Sequence, residues 1–101
     1  MIRVIKSVLF DKQALESDRA FSERVGPGLL VITDVKQRLD AEQKPLLPVE
    51  LGSTVTIHRP DGSIIERRVD AVEIWGYHVG LFFSHTEQHD IPVSSEIEPP
   101  A

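Results

Sequence analysis

The sequence has no cysteine, which excludes disulfides, thiolate metal sites and cysteine nucleophiles and is compatible with a reducing cytoplasm. It is poor in basic charge: 11 Lys and Arg stand against 16 Asp and Glu, for a net charge of −5. A phosphate backbone is bound by clustered cations that release its counterions, so the balance weighs against nucleic-acid binding. The nearest approach to a cluster is Arg67-Arg68, and adjacent strand residues point to opposite faces. No apolar run approaches the length of a membrane span. The opening M-I-R-V-I-K-S-V-L-F is interrupted by Arg3 and Lys6 and does not read as a signal peptide. No Gly-rich phosphate loop and no G-x-S-x-G nucleophile elbow occurs. Aromatic residues are scarce as well, with one Trp, one Tyr and four Phe. What these absences leave is a cytoplasmic domain of 101 residues with a single modest core.

The most informative stretch runs from Val49 to Phe83. Thr54 to Arg59 alternates, Val55 and Ile57 toward a core and Thr54, Thr56 and His58 outward. Pro60-Asp61-Gly62 supplies a tight turn: Pro presets φ, Asp bonds back to the backbone and Gly takes the left-handed position. On the returning strand Ile65, Val69 and Ala71 hold one phase, whereas Val72 and Ile74 hold the other. A slip of one residue at Ala71-Val72 is what a β-bulge produces in one long, bent strand. Beyond Gly76, Val79, Leu81 and Phe83 face the core, and Gly80 among them implies close approach of a neighbouring backbone.

Around this stretch the chain supplies the remaining strands. Ile2 to Phe10 reads as a strand with Ile2, Val4, Val8 and Phe10 on one face and Lys6 as the exception. Residues 11–25 are polar and charged, a long loop with room for one helical turn and with Phe21 as an anchor. Gly26-Pro27-Gly28 breaks the chain, and Leu29 to Val35 is almost continuously apolar, the pattern of a strand covered on both faces. Residues 36–48 read as a second loop, because Pro45 and Pro48 disfavour regular structure. Ser84 and Glu87 stand at capping-box spacing for one helical turn, Val93 to Ile97 form a short last strand, and 98–101 are a tail. The sum is one all-β domain over 1–101: a small, six-stranded antiparallel β-barrel, closed or nearly closed, with two long loops.

The order of these pieces resembles domain 2 of elongation factor Tu and related translational GTPases. Gly26-Pro27-Gly28-Leu29-Leu30-Val31-Ile32-Thr33-Asp34-Val35 is similar to that family's G-R-G-T-V-V-T-G-R-V segment. Leu46 to Ile57 is similar to the lead-in to its G-D-x-V-x-I strand, and Val69 to Ile74 stands where it has V-x-x-I-E. Val79 to Ile97 resembles V-G-x-x-L-R-G-x-x-x-x-D-I-x-R-G-x-V-L. The agreement spans Gly26 to Ile97 and implies a barrel of the translation-protein type, here stand-alone. The departures are specific. The family's Arg between the two glycines is Pro27, its next Gly is Thr33, its Arg-Gly is Ser84-His85, and its later Gly is Ser94. In the family this barrel contacts the aminoacylated end of tRNA or packs on the GTPase domain, and no tRNA-binding residue carries over.

Few residues suggest chemistry. His85 and His89 are four apart, a spacing that puts two imidazoles on one helical face as metal ligands, with Asp90 beside them and His78 on the preceding strand. Surface histidines flanking a turn are the plainer account. Asp70 shares a strand face with Arg68 and Glu66, which suggests an ion pair or hydrogen bond. Trp75 and Tyr77, separated by Gly76, form either a lid on the barrel's end or a contact patch for a partner. Phe82 strengthens the second option, since alternation turns it outward between Leu81 and Phe83 and implies cover by a loop, a partner or a second copy. The expected function is therefore non-catalytic binding of a protein partner or a second copy through Trp75, Tyr77 and Phe82, with no cofactor and no membrane. Binding of RNA or a tRNA end is the alternative from the family, and a small hydrolase with a metal on His78, His85 and His89 is a third.

Overall fold

The structure, a computed structural model, describes residues 1–10 and 26–100. The expected loop over 11–25, with its Phe21 anchor, lies outside the described residues. The rest is all-β, with strands β1 (Ile2–Phe10), β2 (Gly28–Lys36), β3 (Arg38–Leu39), β4 (Pro45–Leu46), β5 (Thr54–His58), β6 (Ile64–Arg68), β7 (Ala71–Trp75), β8 (His78–Ser84) and β9 (Glu96–Glu98), and one 3-10 turn at Gln88–Asp90. Seven of the strands form one antiparallel sheet in the order β6-β5-β9-β1-β2-β8-β7, while β3 and β4 form a separate hairpin. No ladder joins β6 to β7, so the sheet is not closed by hydrogen bonds among the described residues. That is one strand more than the expected six, because the single long strand over 64–75 is divided at Val69-Asp70.

Three irregularities set the phase of the side chains. In β1, the pairing with β2 shifts between Val4 and Lys6. Ile2 and Val4 therefore join the main core with Leu9 packed beside them, whereas Phe10 and Val8 belong to a second cluster on the other face. The expected single face of Ile2, Val4, Val8 and Phe10 is thus split by a bulge, which also leaves Lys6 exposed. At the β6–β7 junction, Val69 is buried in the main core and Ala71 in the second cluster, although the two are two residues apart. Val72 and Ile74 return to the main core. The slip read at Ala71-Val72 accordingly falls slightly earlier, at Val69-Asp70.

The third irregularity is in β2, whose pairing with β8 breaks between Ile32 and Lys36. Thr33 fills the gap. Its side chain is fully buried, its hydroxyl donates to the Val79 carbonyl at 2.8 Å, and the same oxygen accepts from the Val35 amide at 3.2 Å. A part-buried amide and a buried carbonyl that the bulge would otherwise strand are satisfied by one side chain.

Continuous burial of β2 follows from the two clusters. Leu29 and Val31 face the main core with Val55, Ile57, Val79, Leu81, Phe83 and Ile97, while Leu30 and Ile32 face the second cluster with Phe10, Ala71 and Phe82. The strand is covered on both faces, as its unbroken apolar run implies. Gly28 is required by proximity: a Cβ there would stand 2.4 Å from the Phe83 carbonyl oxygen and 2.7 Å from Phe82 Cζ. At Gly80 a Cβ would stand 3.1 Å from Leu30 Cδ1 and 3.4 Å from the Glu73 carbonyl, the close approach its sequence position implies.

The turns follow local chemistry. At Pro60-Asp61-Gly62, the Asp61 carboxylate accepts from the Ser63 hydroxyl at 2.6 Å and from the Ser63 amide at 2.9 Å, and Gly62 has φ 91°. These two bonds, the hydroxyl first, hold the Asp61 carboxyl below the usual carboxylate range. Any stability from that turn is present above the ordinary Asp value and is lost as pH falls through the lowered one. The segment after β8 departs from expectation. Ser84 does not cap a helix: its amide donates to Asp70 Oδ2 at 2.9 Å. The capping box belongs instead to Glu87 and Asp90, where the Glu87 amide donates to Asp90 Oδ2. The last strand is likewise shorter than Val93–Ile97, since Ser94 has φ 77° and turns the chain before β9.

Replacing Thr33 tests its part in the bulge. Thr33→Val removes the hydroxyl while keeping the shape, and should cost about 1–3 kcal/mol in urea unfolding because a buried carbonyl and a part-buried amide lose a partner. Thr33→Ser keeps the hydroxyl and should lose less.

Candidate interaction surface

Trp75 ends β7 and pairs with His78 at the start of β8, so Gly76 and Tyr77 form a two-residue hairpin loop. Gly76 has φ 67°, the glycine-first pattern of a type II′ turn, whose twist matches that of the strands it joins. The geometry puts both aromatics at the rim: Tyr77 is 80% exposed and Trp75 46%.

Phe82 is placed differently. It lies on the face opposite Leu81 and Phe83, as alternation requires, but its exposure is 0%. Its ring meets that of Phe10 edge-on, with centroids 6.2 Å apart and planes at 71°. Leu30, Ile32 and Ala71 complete the cluster. The expectation of an outward Phe82 that joins Trp75 and Tyr77 in a contact patch is corrected. Alternation fixes which face a residue takes, and here the second face is itself buried within the chain.

Exposed apolar surface occurs instead at a hairpin that the sequence reads as loop. The Gln37 amide donates to the Tyr77 carbonyl at 2.6 Å, and Lys36 pairs with His78, which ties the start of the β3–β4 hairpin to the end of the sheet that carries Trp75 and Tyr77. The hairpin is organised by Asp40, whose carboxylate accepts from the amides of Glu42 at 2.8 Å and Lys44 at 3.0 Å, with Gln43 at φ 66°. Pro45 does not prevent pairing, because a strand with one unpaired edge tolerates a residue that lacks an amide donor. Leu39, Leu46 and Leu47 are exposed. Between the hairpin and the end of β2 runs a groove of about 620 Å³, lined by Val35, Leu46 and Leu47 and flanked by Lys36 and Arg38. Arg38 and Leu46 are direct cross-strand partners. Sequence reasoning missed this element because its two prolines outweighed the signal in Leu39-Asp40 and Leu46-Leu47, apolar residues on either side of an Asp-led turn.

The histidines are not gathered. His78 and His85 stand at opposite ends of β8, a seven-residue strand that rises about 3.3 Å per residue, hence roughly 23 Å. His78 Nδ1 lies 3.1 Å from the Thr33 carbonyl, consistent with donation from that nitrogen. His85 has φ 52° and precedes the 3-10 turn, so it does not share a helical face with His89. His89 Nε2 is 3.5 Å from Asp90 Oδ1 at an exposed position, and His58, which faces outward as alternation implies, stands 3.1 Å from Glu98 Oε2. Among the described residues no group of three His, Asp or Glu is placed to hold a metal ion. Asp70 has the structural role its strand position suggests: besides accepting from Ser84, it lies 3.8 Å from Arg68 Nε.

No protein-family model matches the chain, and no curated protein or solved structure matches it either.

Since Phe82 is a core residue, Phe82→Ala should lower the free energy of unfolding by about 3–5 kcal/mol, read from the urea midpoint. An unchanged midpoint would return Phe82 to the surface.

Proposed function

We propose that this chain is a non-catalytic protein-binding module, a β-barrel of the translation-protein type whose partner docks at the end carrying Trp75, Tyr77 and the β3–β4 hairpin. The observation that carries the binding role is the concentration there of exposed apolar residues: Trp75, Tyr77, Leu39, Leu46 and Leu47. Trp and Tyr are enriched where partners dock, since each offers a large apolar face with a polar handle. Contiguous exposed apolar surface is otherwise disfavoured on a soluble domain.

Two observations support the barrel type. First, β6 and β7 stand at opposite ends of the strand order but are separated in the chain only by Val69 and Asp70. A ring of strands is completed through that backbone if β6 and β7 count as one strand. Second, the resembled barrel has glycine at the positions of His85 and Ser94, and both have positive φ here, 52° and 77°. Side chains other than Gly seldom adopt that conformation.

The binding role is tested by retaining proteins from the native cell extract on immobilised wild type and on Trp75→Ala/Tyr77→Ala. Both side chains are exposed, so the thermal midpoint should be unchanged, while a specific retained protein should be lost from the variant. Identical retention by the two would remove this role. Retention of tRNA with a salt-dependent profile would assign the surface to RNA instead. The backbone likeness is tested separately. Ser94→Gly and His85→Gly should leave stability unchanged or raise it by up to about 1 kcal/mol, since the left-handed conformation costs an L-residue that much.

A further inference from the structure

We propose that the groove between the β3–β4 hairpin and the end of β2 takes an extended segment of a partner protein that presents both apolar and acidic residues on one face. The proposal rests on the protein-binding reading above and adds the chemistry of the partner. Its basis is charge. The chain carries a net charge of −5, yet the groove is flanked by two cations, Lys36 and Arg38, both exposed. Arg3, Lys44, Arg59 and Arg68 each stand within 4.0 Å of a carboxylate. Among the described residues Lys6, Lys36, Arg38 and Arg67 have no such pair, and of these four Lys36 and Arg38 both line the groove. Asp34 is the one acidic residue of the lining, and its Oδ1 accepts from the Arg3 amide at 3.0 Å. The potential that complements these two cations is negative, and most of the remaining lining, Met1, Val35, Leu46, Leu47 and Pro48, is apolar.

An extended segment fits for two reasons. The hairpin strands β3 and β4 pair only with each other among the described residues, so the outer edge of β3 is open to an added strand, whereas Pro45 leaves the outer edge of β4 without an amide donor. Arg38 and Leu46 are cross-strand partners and share a face of the hairpin, so an added strand meets them with an apolar residue and a carboxylate two positions apart on its own facing side. RNA is the weaker fit, because two cations release few counterions and no aromatic ring lines the groove for stacking.

Fluorescence anisotropy tests the assignment with two labelled peptides, one carrying leucine and glutamate in turn at every second position and one with lysine in place of glutamate. The acidic peptide should bind saturably to wild type, more weakly as salt rises, and the basic one should not. Lys36→Glu/Arg38→Glu should weaken the acidic peptide by about tenfold or more, since like charges then face each other. Leu46→Ser/Leu47→Ser should weaken it as well. The matched reversal Lys6→Glu/Arg67→Glu, away from the groove, should have no effect beyond a small general one. Failure of the acidic peptide to bind, equal binding of both peptides, or equal loss in the matched reversal would each overturn the proposal. So would a dimer of wild type in light scattering that Leu46→Ser/Leu47→Ser dissociates, because the occupant would then be a second copy. If the acidic peptide fails while retention of a native protein still depends on Trp75 and Tyr77, the groove assignment falls and the binding-module reading stands. If both fail, both fall.

Discussion

Strand order places β6 and β7 at opposite ends of the sheet, yet the chain passes from one to the other through Val69 and Asp70 alone. That short passage is the constraint on which the rest depends. The Val69 amide donates to the Ser53 carbonyl on the β5 side, and the Asp70 amide donates to the Phe82 carbonyl on the β8 side. The Asp70 carboxylate then accepts from the Ser84 amide, a charge-assisted bond at a partly buried position and so stronger than a neutral one. One run of backbone thereby holds both margins of the sheet, and the curvature of the intervening strands must bring those margins together. The shifts at Ile5 and at Thr33–Val35 provide bends of the kind that bulges produce.

A curved sheet of this kind has an inner face and an outer one, and both are occupied here. The main core takes Leu29, Val31, Leu81 and Phe83, while Leu30, Ile32, Phe82 and Phe10 fill the other side of the same strands. Small residues make room at the crossing points. Gly28 lies against the Phe83 backbone and the Phe82 ring, and Gly80 against Leu30. Much apolar area of the central strands is consumed internally, and among the exposed apolar residues Trp75 and Tyr77 lie at the sheet's end and Leu39, Leu46 and Leu47 in or beside a hairpin outside the sheet.

How far the sequence could be read depends on whether a local rule governed the position. Val55 and Ile57 follow alternation, the Pro60-Asp61-Gly62 turn follows turn chemistry, and the doubly buried β2 follows from an unbroken apolar run. Each was legible because a few neighbouring residues determine it. The face of Val8 was not, because a bulge at Ile5 depends on the register with β2, and register is a property of two strands. Phe82 failed for a related reason: its side of the sheet could be read, but its cover could not. The hairpin of residues 38–46 was obscured by Pro45, which forbids a donor but not an edge position. Of the proposed site, the exposure of Trp75 and Tyr77 was therefore legible, and the placement of Leu46, Leu47, Lys36 and Arg38 was hidden.

The position of β9 has a kinetic consequence. It is the last of the described strands, yet it lies between β1 and β5, where Ile97 is the cross-strand partner of both Ile2 and Ile57. Until residue 98 has left the ribosome, β1 and β5 each present an unpaired edge with no strand to complete it. Long-range pairing of this kind is slow, and open edges are where nascent chains associate wrongly. During synthesis the sheet can therefore assemble only as two separate parts, β5 with β6 and β1 with β2, β8 and β7, joined through the chain at Val69-Asp70 and waiting for one three-residue strand to zip them together.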